Sequence, residues 1–219
     1  MLGSVRRSSS FPPRVLAAIL LILVAGSGAS LDAQQSLAIS GNSLISAGQS
    51  ASFDLELTNT QPVEGFVIAI EYDPVQVSIQ GISVIGTVTA ASGAELVVPE
   101  ILSSGFTLGV VLDASAPFDA QTIAVGTDQV IGTFVARAES GPLPGDPDLV
   151  TGFSFLDGAL NNPPLSNIIV QGGNSIGAGE GLGLLSAPNA LTIGPAPPIE
   201  LLIENATFAD GGGCAQVQM

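Results

Sequence analysis

The sequence predicts an all-β chain: an antiparallel two-sheet sandwich, jelly-roll-like, of about nine strands, preceded by a signal peptide. Three observations predict it. Short apolar runs with a two-residue period recur from Ser36 to Ile193, clusters of Gly, Pro, Asn and Asp separate them, and no run after residue 33 keeps a helical period.

Residues 1–33 read as the signal peptide. Arg6, Arg7 and Arg14 precede the apolar run Val15–Ala25, and the small residues Gly26-Ser27-Gly28-Ala29 follow. That is the order of a positive n-region, an apolar h-region and a cleavage site, after Ala29 or Ala33. The run is shorter than the roughly 20 residues of a membrane-spanning helix. A secreted chain, extracellular or at the cell surface, with no membrane span after cleavage, is the expectation.

Within 36–194 the strands follow in order. Leu37–Ser40 is a short one, with Ser46-Ala47-Gly48-Gln49 as its turn. Ser52–Thr58 alternates cleanly, Phe53, Leu55 and Leu57 inward against Asp54, Glu56 and Thr58. Asn59–Glu64, with Pro62, is a loop. Gly65–Tyr72 places Phe66, Ile68, Ile70 and Tyr72 on one face and the apolar Val67 and Ala69 on the other, so it reads as a strand covered on both sides. Asp73-Pro74 breaks the ladder, because proline has no amide hydrogen and Asp bonds forward into a turn.

Val75–Ile79 then resumes, with Ile82–Val88 and Glu95–Val98 as weaker strands split by Ala90–Gly93. Phe106–Leu112 alternates and stops at Asp113, and Val130–Ala138 is another strand. Gly141–Asp148 is a proline-broken loop. Phe153 and Phe155 mark a short strand, Asn161–Pro164 a turn, and Ile168–Val170 and Ala190–Ile193 the last strands. Gly172–Gly183, six glycines in twelve residues, reads as a long flexible loop. The tail 195–219 is Pro/Gly-rich, holds the apolar Leu201–Ile203, and reads as disordered beyond Asp210.

Composition excludes several chemistries. The chain has no histidine and no lysine, and its single Cys214 sits in the tail, so Ser-His, Cys-His and Schiff-base catalysis and His/Cys zinc sites are ruled out. Glu56, Glu71, Glu95 and Glu100 show no spacing that marks a hydrolytic pair. No phosphate-cradling loop is present. Asp146 and Asp148, with Asp113, Asp119 or Asp128, have the chemistry of calcium ligands, but a solvated acidic loop is the reading preferred. All 19 acidic residues follow position 31, where Arg137 is the one base left. Such a surface repels nucleic acid and keeps an exported chain soluble. Trp is absent and the sole Tyr72 faces inward, which argues against a sugar-stacking platform.

The order of these features resembles a cohesin domain, the receptor module of bacterial cellulosome scaffolds. The resemblance covers 36–194: the Gly48-Gln49 turn before Ser52–Thr58, Gly65-Phe66 opening a strand that ends in Tyr72-Asp73-Pro74, Val75–Ile79 after it, Gly105–Leu112 ending at Asp113, Ile131-Gly132-Thr133-Phe134, and Leu191–Ile193. The loops Gly141–Asp148 and Gly172–Gly183 are longer than the resemblance leads one to expect.

What the resemblance implies is a noncatalytic protein–protein module that recruits a dockerin-bearing protein through a sheet face, the partner bringing any calcium and acting in polysaccharide degradation. A carbohydrate-binding module, with polysaccharide as a possible partner, and a structural or adhesive extracellular domain are the alternatives. No catalytic, cofactor-binding or metal-ligating residue is singled out, no cofactor is implied, and the binding face is unknown from sequence.

Overall fold

The computed structural model describes residues 35–178, 182–185 and 189–197. The expected signal peptide, the tail beyond Pro197 and Cys214 lie outside them. Among the described residues no helix is long and apolar enough to cross a membrane.

Two sheets pack face to face, as the alternation requires. The first runs β12 (Leu182–Leu185), β1 (Gln35–Gly41), β3 (Ser50–Asn59), β8 (Gly126–Ala138), β5 (Val77–Ser83). The second is built around β4 (Gly65–Glu71), which pairs along its length with β7 (Gly105–Val111), itself edged by β6 (Leu96–Ile101). On its other side β4 pairs first with β10 (Ile168–Gln171), which continues to β11 (Asn174–Gly177), and then with β9 (Leu149–Phe155). From β9 the sheet continues through β13 (Asn189–Gly194) to β2 (Leu44–Ser46).

The inward residues predicted from β3 and β4 are the core. Phe53, Leu55, Leu57, Phe66, Ile68 and Ile70 are buried, and Tyr72 joins them. Four phenylalanines join the sheets. Phe53 and Phe134 are ladder neighbours on β3 and β8, with ring centroids 5.2 Å apart, and Phe106 on β7 and Phe153 on β9 reach Phe134 at 4.9 Å from across the sandwich. Each burial is worth about 1.5–3 kcal/mol, and the edge-to-face pairs add to that.

The two motifs that carried the resemblance have physical causes. Tyr72 donates its hydroxyl to the Leu102 carbonyl at 3.2 Å, while Asp73 accepts the Val75 N–H on its side chain at 2.9 Å and the Val77 N–H on its carbonyl at 2.9 Å. The Gly-Phe openings of β4 and β7 are steric. A Cβ on Gly65 would stand 2.7 Å from the Val110 carbonyl oxygen, and one on Gly105 2.6 Å from that of Ile70, so the strands pair this closely only with glycine there.

Five expectations are corrected. There are thirteen strands among the described residues rather than about nine, and the sheets are mixed, since β1–β12 and β2–β13 are parallel. Ser46, read as the first residue of a turn, is the last of β2 (Leu44–Ser46); three residues carry too little alternation to show that strand. Val75 lies in the turn after Pro74, 74% exposed, so the strand begins at Val77. Ile82–Val88 is not a strand: β5 stops at Ser83 and a one-turn helix, α1 (Val88–Ala91), follows. The helix turn meets a bulge in β8, where Ile131 has no partner on β3 and its carbonyl accepts the Thr89 hydroxyl at 2.6 Å and that of Thr87 at 3.3 Å. Finally, the glycine-rich 172–183 holds β11 and the start of β12. Gly172 and Gly173, with φ of 55° and 73°, form the two-residue loop between the paired Gln171 and Asn174, and that Gly-Gly is a hairpin signal in its own right.

Candidate functional site

The outward faces of the two sheets differ. On the first, Ser40, Asp54 and Thr133 follow one rung across β1, β3 and β8, and Ser52 stands opposite Val135 and Ser50 opposite Arg137 on others. On the second, the register aligns Leu96, Val111, Gly65 and Val170 across β6, β7, β4 and β10, and the next outward rung aligns Val98, Gly109, Val67 and Ile168. Leu96, Val98 and Val111 are 46%, 51% and 41% exposed, and Val67, Ile168 and Val170 are half-buried. Six apolar side chains therefore share an outward face with two glycines between them.

Both ends of this face are closed by loops that carboxylates hold. At one end Ala69 and Thr107, one rung further on, are buried. The loop from β9 to β10 crosses there, with Asn167 accepting the Ala69 N–H at 2.8 Å, Asn161 donating to Glu100 at 2.7 Å, and Asp157 accepting the Asn167 N–H at 2.6 Å. At the other end stands the loop 113–122. Glu95 accepts the N–H groups of Ala114 and Ser115 at 2.8 and 2.6 Å, Asp113 accepts that of Ala120 at 2.9 Å, and Val63 and Ile123 exchange backbone bonds below it. A pocket of about 430 Å³ lies under this loop, bounded by Glu64, Gly65, Val67, Val111, Asp113 and Gln121 among others.

These contacts give the acidity a second role that the composition did not reveal. Asp73, Glu95, Asp113, Asp157 and also Glu64, which accepts the Gly173 N–H at 2.9 Å, each bond a loop amide, a charge-assisted bond stronger than a neutral one. The calcium candidates are not brought together. Asp113 is turned to its own loop, Asp128 pairs with Thr58, and no three His, Cys, Asp or Glu among the described residues are placed to hold a metal ion. Of the other carboxylates weighed in the sequence, Glu95 and Glu100 hold loops and Glu56 accepts the Ser40 hydroxyl. Tyr72 is in the core, where burial raises its phenol above the ordinary value.

Similar solved structures identify the architecture. A type I cohesin–dockerin complex from Clostridium thermocellum matches with a TM-score of 0.56 at 13% identity, over 75% of this chain and 96% of that one. The fold is cohesin-like. The sixth cohesin of scaffoldin B from Acetivibrio cellulolyticus, in complex with a mutant Cel5 dockerin, matches at 0.52 and 11% identity, over 74% and 99%. The seventh ScaB type I cohesin from Pseudobacteroides cellulosolvens matches at 0.51 and 10%, over 76% and 96%. No protein-family model matches the chain, and no curated protein does. The likeness in fold is the one that the Tyr72-Asp73-Pro74 and Gly-Phe motifs implied.

Proposed function

We propose that the chain is a noncatalytic receptor module that docks a dockerin-bearing protein on the outward face of β6, β7, β4 and β10. The observation that carries this reading is the apolar face left open on a cohesin-like sandwich, since the solved structures it resembles include cohesins in complex with dockerins. Burying such a face removes apolar area from water at about 25 cal/mol per Å², and its glycines let another backbone approach. The module works outside the cell after loss of residues 1–33, and its partner carries the activity on polysaccharide.

Sugar recognition by the module itself has less support. Among the described residues Tyr72 is buried and Phe118 is the aromatic side chain with most of its surface exposed, at 73%, so no row of rings lines a face.

The test is binding of dockerin-bearing proteins to the immobilised protein, with and without calcium chelation. Val67→Asp and Val111→Asp are expected to weaken it roughly 100-fold, the scale of a buried interface centre, while Ser40→Asp on the opposite sheet leaves it unchanged. Binding that ignores all three substitutions overturns the assignment of the face, and no binding by the unaltered protein overturns the function.

A further inference from the structure

The outward side of the second sheet carries another apolar set, on β2, β13 and β9. The register puts Leu44, Thr192 and Val150 on one rung. Ile45, Ile193 and Phe153, of the opposite parity, are buried in the core, so this rung points out. Leu44 is 57% and Val150 66% exposed, with Thr192 half-buried between them. The next outward pair is Ala190 beside Gly152, whose side chains are too small to fill the space above the sheet. Gly141 packs against Ala47 and Ile193, and two residues further on Leu143 adds a third exposed apolar side chain.

The chain leaves the sandwich at this place. β13 ends at Gly194, two residues past Thr192, and Pro195-Ala196-Pro197-Pro198 leads into Ile199–Ile203. There Ile199, Leu201 and Ile203 recur at a two-residue period with Glu200 and Glu204 on the other side, the pattern of an extended segment with one face to bury.

Reach decides which apolar set this segment can cover. β13 runs parallel to β4, since each is antiparallel to β9. In that register Gly194 lies six residues past the level of Glu71, and Val67 of the docking face lies four before it. At about 3.3 Å per residue the two are roughly 33 Å apart along the strands, with two strand spacings across as well. Ile203, nine residues past Gly194, reaches at most about 32 Å when fully extended. The docking face is therefore out of range, while Leu44 and Val150 are within it.

We propose that Ile199–Ile203 folds back over the rung of Leu44, Thr192 and Val150, with Ile199, Leu201 and Ile203 on the sheet and Glu200 and Glu204 in water. A short tether holds such a segment at an effective concentration on the order of millimolar, which a second copy of the chain does not match at ordinary protein concentrations. The inference does not rest on the docking reading. The outward side of one sheet then has two fates: the half beside the chain's exit is covered from within, and the half beyond its reach stays open.

The test places a nitroxide on the segment through Glu204→Cys, with Cys214→Ser so that the label has one thiol, and reads amide NMR intensities against the reduced label. The amides of Leu44, Val150 and Thr192 are expected to lose most of their intensity. Ala138 is the control: it lies near Gly194 through the Ala47-Gly48 turn but belongs to the first sheet, and it is expected to keep most of its signal, as are Leu96 and Val111. Leu201→Asp combined with Ile203→Asp is expected to remove the difference between the two sheets, and neither substitution touches the core.

Equal broadening at Leu44 and Ala138, or a difference that survives the two aspartates, overturns the proposal, because a tethered segment that is not docked gives both. A mixture of isotope-labelled protein without nitroxide and unlabelled protein carrying it is expected to show no broadening. Loss at Leu44 and Val150 in that mixture assigns the surface to a second copy and overturns the proposal as well.

Discussion

The two outward faces of the sandwich come from the same kind of strand and end in opposite chemistry. On the first sheet most inward apolar residues alternate with Ser, Thr, Asp, Glu or Arg; on the second, two successive outward rungs of β6, β7, β4 and β10 hold only apolar residues and glycine. A sheet that only had to keep one face dry would look like the first. The second carries apolar side chains that the described part of the chain does not cover, and exposed apolar patches of this kind mark interaction surfaces. Strand stability and surface function are thus set by different parities of the same residues.

The largest expected effect comes from what both sheets share. Phe134→Ala removes a ring in contact with Phe53, Phe106 and Phe153 and is expected to cost about 3–5 kcal/mol, read from denaturant unfolding. A loss under about 1 kcal/mol would mean that the two sheets do not depend on this cluster.

Gly105→Ala acts on the second sheet alone. The added Cβ meets the Ile70 carbonyl and the Leu160 side chain, and a loss of about 1–3 kcal/mol is expected from the forced separation of β4 and β7. The first sheet offers a contrast at Gly81, where a Cβ would meet nothing within 4 Å, so Gly81→Ala is expected to be close to neutral.

Tyr72 sharpens the comparison at high pH. Its phenol is raised above 10.0 by burial, so the folded state favours the neutral form. The associated stability is fully present below pH 10 and is lost as pH rises through the raised value. Tyr72→Phe is expected to flatten that alkaline loss in a pH series of unfolding curves, and to cost about 0.5–1.5 kcal/mol at neutral pH through the bond to Leu102. An unchanged alkaline slope would place the sensitive group elsewhere.

The smallest effect tests the face itself. Replacing Leu96 and Val98 with serine is expected to cost about 0.5–1 kcal/mol, because about half of each residue is already in water, while lowering retention on a hydrophobic column. If unfolding shifted more than retention, the face would belong to the core rather than to a partner.

Much of the core was legible. Phe53, Leu55 and Leu57 alternate with polar residues, and Tyr72-Asp73-Pro74 combines a buried ring, a side-chain acceptor and a residue without an amide hydrogen, so period and turn chemistry agree. The site was legible only as an ambiguity. Val67 and Ala69 read as a second covered face, and the structure divides them: Ala69 is buried under the β9–β10 loop, Val67 is not. Sequence alone does not separate an apolar residue covered by its own chain from one left for another.

The order of residues by itself determined which side chains face inward, where the ladder stops, and that no His- or Lys-based chemistry is possible, since these depend on neighbours two to four positions away or on composition. Tertiary structure decided the parallel pairings of β1 with β12 and β2 with β13, the turn of helix that meets the bulge at Ile131, and the placing of Glu64 and Asp113, 49 residues apart, around one cavity. Each of these joins groups far apart in the chain, and the order in which strands pair within a sheet brings them within reach.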